Sequence, residues 1–510
     1  MNLAALGNQA MIGMSDLVTA LSETGRVSAI GLLIEGIDDV ARFAAAVEFA
    51  RAHDVPVVAL KAGRTSAGAA LALSHTGSLA GADAAMDAYL RRLGVARVTS
   101  LPDFIETLKL LHVHGPLPGA DIVSLSCSGG EALLLSDAAA GRAVNFRPFT
   151  DADVARVRPT TNPIVAITNP FDYHTFDWGK PDRLQATFAA TLASGFDLGL
   201  IVMDLPRADR CEQGEWKLGI DAFVRAAKAT GSRAAVLSTL VECMPETYAR
   251  ALLAEGVAPM LGIEETLAAI EAAAFLGRPV EPFLPIAAAA PDPSSVRALN
   301  EWEGKQLLQR AGLAIPAGEL VHSEAQAHAA AEVIGYPVVL KAVSETLLHK
   351  TEAGAVRLGC RSEEDVARAF RDLARLSDTV LVEEMVTDAV AELIVGVTRA
   401  PRLGPTLVVG AGGVLVELLE DTRTLLLPAA AAEIEAALLS LKGKALLPSA
   451  TEQWAPVPRV VDPFKYLDSP EPDAVRLFDG ESLAEWINSN DRGPASWAIA
   501  DGVVTVHKPS

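Results

Sequence analysis

The chain has 510 residues, 50% of them hydrophobic, and carries 64 acidic against 43 lysine and arginine side chains, a net charge of −21. Its length suits roughly three or four domains of about 100–200 residues each, and the acidic excess argues against nucleic acid or an anionic membrane as partner, because both need a cationic face. Cys127, Cys211, Cys243 and Cys360 lie far apart without a C-x-x-C pair, so neither a zinc site nor a disulfide framework is indicated and a reduced, cytoplasmic setting is expected.

The first residues, MNLAALGNQAMIGMSDLV, have no basic n-region or cleavage signature, so no signal peptide is read. No apolar run reaches the roughly 20 residues that span a bilayer. Short apolar runs then alternate with Ala-rich helical stretches, the pattern of parallel α/β sheets. Strands are predicted at SAIGLLIEG (28–36), VPVVALKAG (55–63) and VARVTS (95–100), with Pro116 and Pro118 marking a boundary. A second α/β unit has predicted strands at 121–129, 198–206, 233–240 and 257–262, and the Ala/Pro/Ser-rich stretch 286–296 reads as a linker. A third unit opens with a helix over 299–313, followed by a helix through Ala325–Val333 and strands at 337–344, 380–385, 391–400 and 406–419. That order fits a two-lobed nucleotide-binding domain. Beyond about residue 445 the helical texture gives way to turns and short strands, with Trp454, Trp486 and Trp497.

The stretch KAGRTSAGAALALSHTGSLAGADAAMDAYL (61–90) sets His75 among small residues, before Gly77, Gly81 and a predicted helix. Small residues let a backbone approach a phosphate, and a helix N-terminus offers N–H groups and a positive dipole end. An imidazole there can carry a phosphoryl group, although by spacing alone a histidine beside glycines is more often a structural or surface residue. Glu35, at a predicted strand end, reads by itself as a solvated carboxylate. Ser128, Gly129 and Gly130 lie between a strand and a helix, as a second phosphate cradle or an ordinary tight turn.

SHTGSLAGAD and KAGRTSAGA resemble the phosphohistidine segment of the ADP-forming (NDP-forming) acyl-CoA synthetases, the acetate–CoA ligase family, relatives of succinyl-CoA synthetase. The resemblance covers about residues 1–440. It implies an α/β fold class: succinyl-CoA-synthetase-like flavodoxin-type domains at 1–116 and 117–285, a linker at 286–297 and an α+β ATP-grasp domain at 298–447; beyond it, 448–510 reads as a partial β-rich tail. It implies His75 as the phosphoryl carrier, Glu35 as its hydrogen-bond partner, and His349 in LLHKTEAGAV as a residue that takes or passes the phosphoryl group. Thr351 and Ala355 depart from the usual Ser and Gly there.

By the same resemblance Asn169, Pro170 and Asp172 lie near the acyl and CoA site. Lys341, Glu383, Glu384, Met385, Glu392, Gly412 and Gly413 form the nucleotide site, while Glu303 and Lys305 belong to the opening helix in a structural role. Glu417 and Asp421 are candidate oxygen ligands for Mg²⁺, or a solvated strand end. The expected ligands are ATP or ADP with Mg²⁺, coenzyme A as substrate, a carboxylic acid and phosphate, in an oligomer.

The family's N-terminal CoA-binding domain is not recognised in the chain, so a partner chain is expected to supply it. The tail LFDG…SWAIADGVVTVHK resembles the start of a 3-keto-disaccharide hydrolase-like domain. Two other functions stay open: a regulatory ATP/acyl-CoA-sensing module like that of large protein lysine acetyltransferases, and a carbohydrate-active hydrolase defined by the tail.

Overall fold

The computed structural model describes residues 3–7, 9, 11–37, 39–64, 83–280, 299–343, 354–387, 389, 391–400, 403–413 and 421–442, with two short strands at 498–500 and 503–505. One compact unit runs from Met1 to Lys444 and a second from Ala445 to Ser510.

The first unit opens with α1 (Met14–Glu23), β1 (Ile30–Ile34), α2 (Val40–Ala52), β2 (Val57–Lys61), α3 (Asp83–Arg92), β3 (Ala96–Val98) and α4 (Leu101–His114). The three strands form a parallel sheet in the order β1-β2-β3. Every residue of β2 is buried, as expected of a parallel strand covered on both faces. Local chemistry fixes the helix ends. Asp39 and Ser100 accept from the backbone N–H groups of Arg42 and Asp103, which satisfies donors that a helix start leaves unpaired. Gly115 (φ 65°) closes α4 in the left-handed region that glycine adopts at little cost.

A second parallel sheet is built from β4 (Ile122–Ser126), β5 (Phe171–Asp172), β6 (Leu198–Val202), β7 (Ala234–Ser238) and β8 (Ala258–Leu261), in the order β5-β4-β6-β7-β8. Its helices are α5 (Gly129–Ala138), α6 (Asp151–Val157), α7 (Pro181–Leu192), α8 (Gly214–Thr230), α9 (Glu246–Ala254) and α10 (Ile263–Leu276). The chain leaves β4 toward β5 on one side and returns to β6 on the other. The carboxyl ends of β4 and β6 are therefore a topological switch point, the usual ligand crevice of an open α/β sheet. The two sheets share one core, in which Val58, Leu60, Leu110 and Leu111 meet Ile122, Leu198, Leu267 and Ile270.

The remaining elements form two antiparallel sheets. β9 (Gly318–Val321), β10 (Val338–Ala342), β11 (Val356–Cys360) and β12 (Val380–Glu384) lie in the order β11-β10-β12-β9, with α11 (Glu301–Arg310), α12 (Glu324–Ile334) and α13 (Glu363–Leu373). β13 (Leu393–Ala400), β14 (Gly404–Ala411) and β15 (Thr422–Leu426) form the other sheet, followed by α14 (Ala431–Leu439). The strand expected over 406–419 begins earlier and stops at Ala411, and 414–420 lies outside the described residues. An added Cβ at Gly410 would stand 2.8 Å from the Asp421 carbonyl oxygen, so β14 and the start of β15 approach too closely there for a side chain.

The second sheet of this pair is joined to the first part of the unit. Ala400, Leu403 and Leu426 belong to the same core cluster as Phe43, Tyr89 and Leu90, and Arg92 of α3 donates to the Leu426 carbonyl at 2.7 Å. In the second unit, β16 (Ala498–Ala500) pairs antiparallel with β17 (Val503–Thr505).

Candidate functional site

His75 falls in 65–82 and His349 in 344–353, both outside the described residues, as is Glu417. What is described is the frame from which the His75 segment departs. β2 ends at Lys61, whose side chain is 3% exposed and donates from Nζ to the carbonyl oxygens of Glu35 (3.0 Å) and Ala62. Burial pulls the Lys61 pKa down, and the nearby Asp83 carboxylate opposes that shift. On the far side of the segment α3 begins at Asp83, held by a two-pronged contact from Arg97 of β3 at 2.7 and 2.9 Å. Glu35 is half-buried immediately after β1. The first sheet thus gathers Glu35, Lys61, Arg97 and Asp83 at the carboxyl end of its strands.

At the switch point, Ser128 precedes α5 but makes no side-chain hydrogen bond to it. The sequence S-G-G-E has the spacing of a capping box, yet that reciprocal pair is not formed. Gly129 and Gly130 make the first turn, and an added Cβ at Gly129 would stand 3.2 Å from Asp172 Oδ2. Burial raises Glu131 to a pKa of about 7, helped by Asp204 and then Asp172. Its Oε2 is buried without a hydrogen-bond partner among the described residues, and so is the Tyr173 hydroxyl. Asp204 is stitched to the end of β7 by Ser238 Oγ (2.7 Å) and the Thr239 N–H (2.8 Å). Asn169 lies on the sheet side of this crevice. Its Nδ2 donates to the carbonyls of Ile122 (2.7 Å) and Arg147 (2.9 Å), and its Oδ1 accepts from Ser124 N–H at 3.2 Å. Here the side chain does the work of strand pairing at the start of β5.

In the antiparallel sheet of β9 to β12 the fold brings together residues far apart in the chain. Lys341 of β10 contacts Glu301 Oε1 at 2.7 Å and Glu383 Oε2 at 2.8 Å. Lys305 contacts Glu301 Oε1 at 3.1 Å and also pairs with Glu383. Burial lowers the Lys341 pKa, but its hydrogen bonds to Glu301 and Glu383 outweigh that and the net shift is upward. Glu383 is 3% exposed and faces these lysines. Glu384 is exposed; its N–H donates to Ala317 O at 2.8 Å, and its Oε2 accepts from Ala317 N–H at 3.2 Å. Met385 N–H donates to Pro337 O at 3.2 Å. Gly412 N–H donates to the Glu392 carbonyl at 2.7 Å, and Gly413 adopts φ 86° beside the Glu392 carboxylate.

Of the expected Mg²⁺ pair, Asp421 alone lies among the described residues. Asp421 Oδ2 accepts from Lys442 N–H at 2.6 Å, and its Oδ1 lies 3.5 Å from Arg423. No three His, Cys, Asp or Glu side chains converge on one point among the described residues. No helix among them is long and apolar enough to cross a membrane.

Sequence reasoning treated Lys305 as structural and did not single out Glu131, Asp204 or Lys61. A lysine ending an otherwise apolar strand, VVALK, was the visible signal for Lys61. The i, i+4 spacing of Glu301 and Lys305 was the only local sign of the charge network.

Residues 1–111 match the succinyl-CoA ligase-like flavodoxin domain, and residues 293–461 match the ATP-grasp domain. A 4-hydroxybutyrate–CoA ligase [ADP-forming] of Nitrosopumilus maritimus is 28% identical over 87% of this chain and 66% of its own length. A trans-feruloyl-CoA synthase from an unknown prokaryotic organism is 28% identical over 86% of this chain and 64% of its own. The beta subunit of acetate–CoA ligase [ADP-forming] II of Pyrococcus furiosus is 32% identical over 32% of this chain, and the match covers 74% of that subunit. The chain belongs to the ADP-forming acyl-CoA ligase family. It spans a little under two thirds of the length of the two longer relatives. The family's two domain types, flavodoxin-like and ATP-grasp, thus account for the parallel sheet of the His75 frame and for the antiparallel nucleotide lobe.

Proposed function

We propose that this acyl-CoA ligase family chain supplies the phosphohistidine and nucleotide-binding parts of a reversible, ADP-forming acid–thiol ligase. In the ATP-yielding direction phosphate attacks the thioester carbonyl, the C–S bond breaks, and CoA leaves as the thiol from an acyl phosphate. His75 then attacks phosphorus and releases the carboxylic acid. ADP finally takes the phosphoryl group from the imidazole and ATP forms. His349 is the candidate relay near the nucleotide, and Glu35 the carboxylate that orients His75.

The observation that carries the reading is the anchoring of the His75 segment. It leaves from the parallel sheet at Lys61 and rejoins at α3, and α3 packs against β15 of the nucleotide lobe. Both partners of a phosphoryl transfer thus belong to one unit. Catalysis in such a site is mainly positioning and charge stabilisation. Lys341 would meet the nucleotide phosphates, Glu384, Met385 and Glu392 its other groups, and Gly412 and Gly413 its close approach. Mg²⁺ would supply charge neutralisation on the phosphates, with Glu417 and Asp421 as the candidate protein oxygens. The uncapped start of α5 at Ser128, Gly129 and Gly130 would receive the acyl or phosphoryl group.

The CoA-binding function is assigned to a partner chain, in line with the relative described as a beta subunit, and the assembly to the cytoplasm. Incubation with ATP labelled at the γ-phosphate tests the reading. Acid-labile, base-stable label is expected on the wild-type chain, and peptide mapping is expected to place it on His75. Unlabelled wild type, or labelled wild type with residue 75 unmodified, refutes it.

A further inference from the structure

The polar side chains at the switch point divide into two groups. Asp204 is engaged by Ser238 and the Thr239 N–H, and Asp172 Oδ1 accepts from the His174 N–H at 2.9 Å. Glu131 Oε2 and the Tyr173 hydroxyl, in contrast, are buried and meet no partner among the described residues. Tyr173 is 6% exposed. Its ring lies edge-on to Phe188 at 5.0 Å, in the core that Cys127 also packs against. Cys127, Glu131 and Asp172 each oppose ionisation of its hydroxyl, after the larger effect of burial, which sets the phenol oxygen toward the start of α5. Glu131 and Tyr173 thus act on one another without sharing a hydrogen bond. Two buried polar atoms left unmet cost free energy, and a ligand group that reaches both recovers it.

The chemistry of the pair restricts that group. An anion would face Glu131, Asp172 and Asp204 together. An ammonium has no acceptor for the Tyr173 O–H. A hydroxyl accepts from Tyr173 and donates to Glu131, and the raised Glu131 pKa of about 7 also lets the carboxyl act as donor below neutrality. We infer that Glu131 and Tyr173 form a specificity site for a carboxylic acid whose acyl chain carries a hydroxyl group. The inference rests on the reading of the α5 start as the place of the acyl group. A site built around a hydroxyl rejects the analogue that lacks it, because its own polar atoms then stay unpaired. Removing those atoms from the protein removes the ground for rejection.

Calorimetric titration of the full chain at pH 6 tests this with two matched pairs: 6-hydroxyhexanoate against hexanoate, and 3-(4-hydroxyphenyl)propanoate against 3-phenylpropanoate. The pairs separate an aliphatic from a phenolic hydroxyl. In at least one pair the hydroxylated acid is expected to bind about ten-fold more tightly or better. Tyr173→Phe is expected to weaken that acid by about three- to ten-fold, while its unhydroxylated partner binds as well as before or better, and Glu131→Leu is expected to do the same. A residue that only supported the fold would weaken both acids of a pair together. Equal affinity within both pairs, tighter binding of 6-aminohexanoate than of either hydroxy acid, or an unchanged preference in either folded variant overturns the inference. Thermal unfolding reports which variants are folded, and if neither is, the wild-type comparison decides. A wild-type chain that is phosphorylated at His75 yet binds none of the acids overturns the inference alone. A chain that neither binds them nor takes the label overturns the ligase reading as well.

Discussion

Replacing Glu131 by Gln should make the chain more stable above neutral pH and flatten its pH dependence. In the folded chain the Glu131 pKa lies at about 7 against an ordinary 4.5, chiefly through burial and then through Asp204 and Asp172. The folded state therefore holds this proton more tightly than the unfolded state does. Between pH 4.5 and about 7 the folded chain binds more protons, so stability falls as pH rises and levels off above the folded pKa. At roughly 1.4 kcal/mol for each tenfold change in proton affinity, the raised pKa sets an upper bound of about 3 kcal/mol, and partial exposure reduces it to about 2 kcal/mol. The dipole of α5 favours the charged form by about 0.3–1 kcal/mol at such a position. Glutamine keeps the shape and cannot ionise. Urea unfolding at pH 5, 6, 7 and 8 should show the wild type losing stability relative to Glu131→Gln by about 1–2 kcal/mol across that range. Parallel curves for the two proteins would refute the argument, because they would mean that Glu131 is already ionised throughout.

Two further substitutions test the frame that carries the site. Gly277→Ala places a Cβ 1.8 Å from the Leu117 carbonyl oxygen, so the end of α10 and the chain after α4 must separate. A loss of about 1–3 kcal/mol is expected in chemical denaturation, and an unchanged midpoint would count against the close approach. Arg92→Ala removes the 2.7 Å hydrogen bond to Leu426 O and the 3.5 Å contact with Glu433. Faster amide exchange in both α3 and β15 is expected, with a stability loss of about 1–3 kcal/mol. Exchange rising in only one of the two elements would show that the contact does not couple them.

The strands β2, β4, β6 and β7 were legible because each is buried at every position and so reads as a nearly continuous apolar run, as in IVSLS of β4 and LGLIV of β6. The antiparallel strands of the nucleotide lobe offered less. β11 (VRLGC) and β15 (TRTLL) are only partly buried and carry an arginine each, so neither alternation nor a run of apolar residues announces them. β5 has two residues, too few for any period. Of the strand read over 406–419, the described part ends at Ala411, before Gly412, where an added Cβ would stand 3.0 Å from Glu392. The network around Lys341 was invisible for a different reason. Glu301 and Glu383 are paired with lysines on other elements, up to 78 positions away in the chain, and only the fold brings the four groups together.

The chain's charge of −21 poses a problem for any protein that must bind nucleotide phosphates, and the described cations suggest how it is met. Four of them at the candidate sites are already engaged: Lys341 and Lys305 with two glutamates, Arg97 with Asp83, and Lys61 with backbone carbonyls. An incoming phosphate then replaces a carboxylate at a lysine rather than adding a charge to an unbalanced pocket. Exchange of one anion for another leaves the buried charge count of the lysine's contacts unchanged, so the desolvation cost of the cation falls on folding and not on binding. What binding must still offset is the carboxylate left behind.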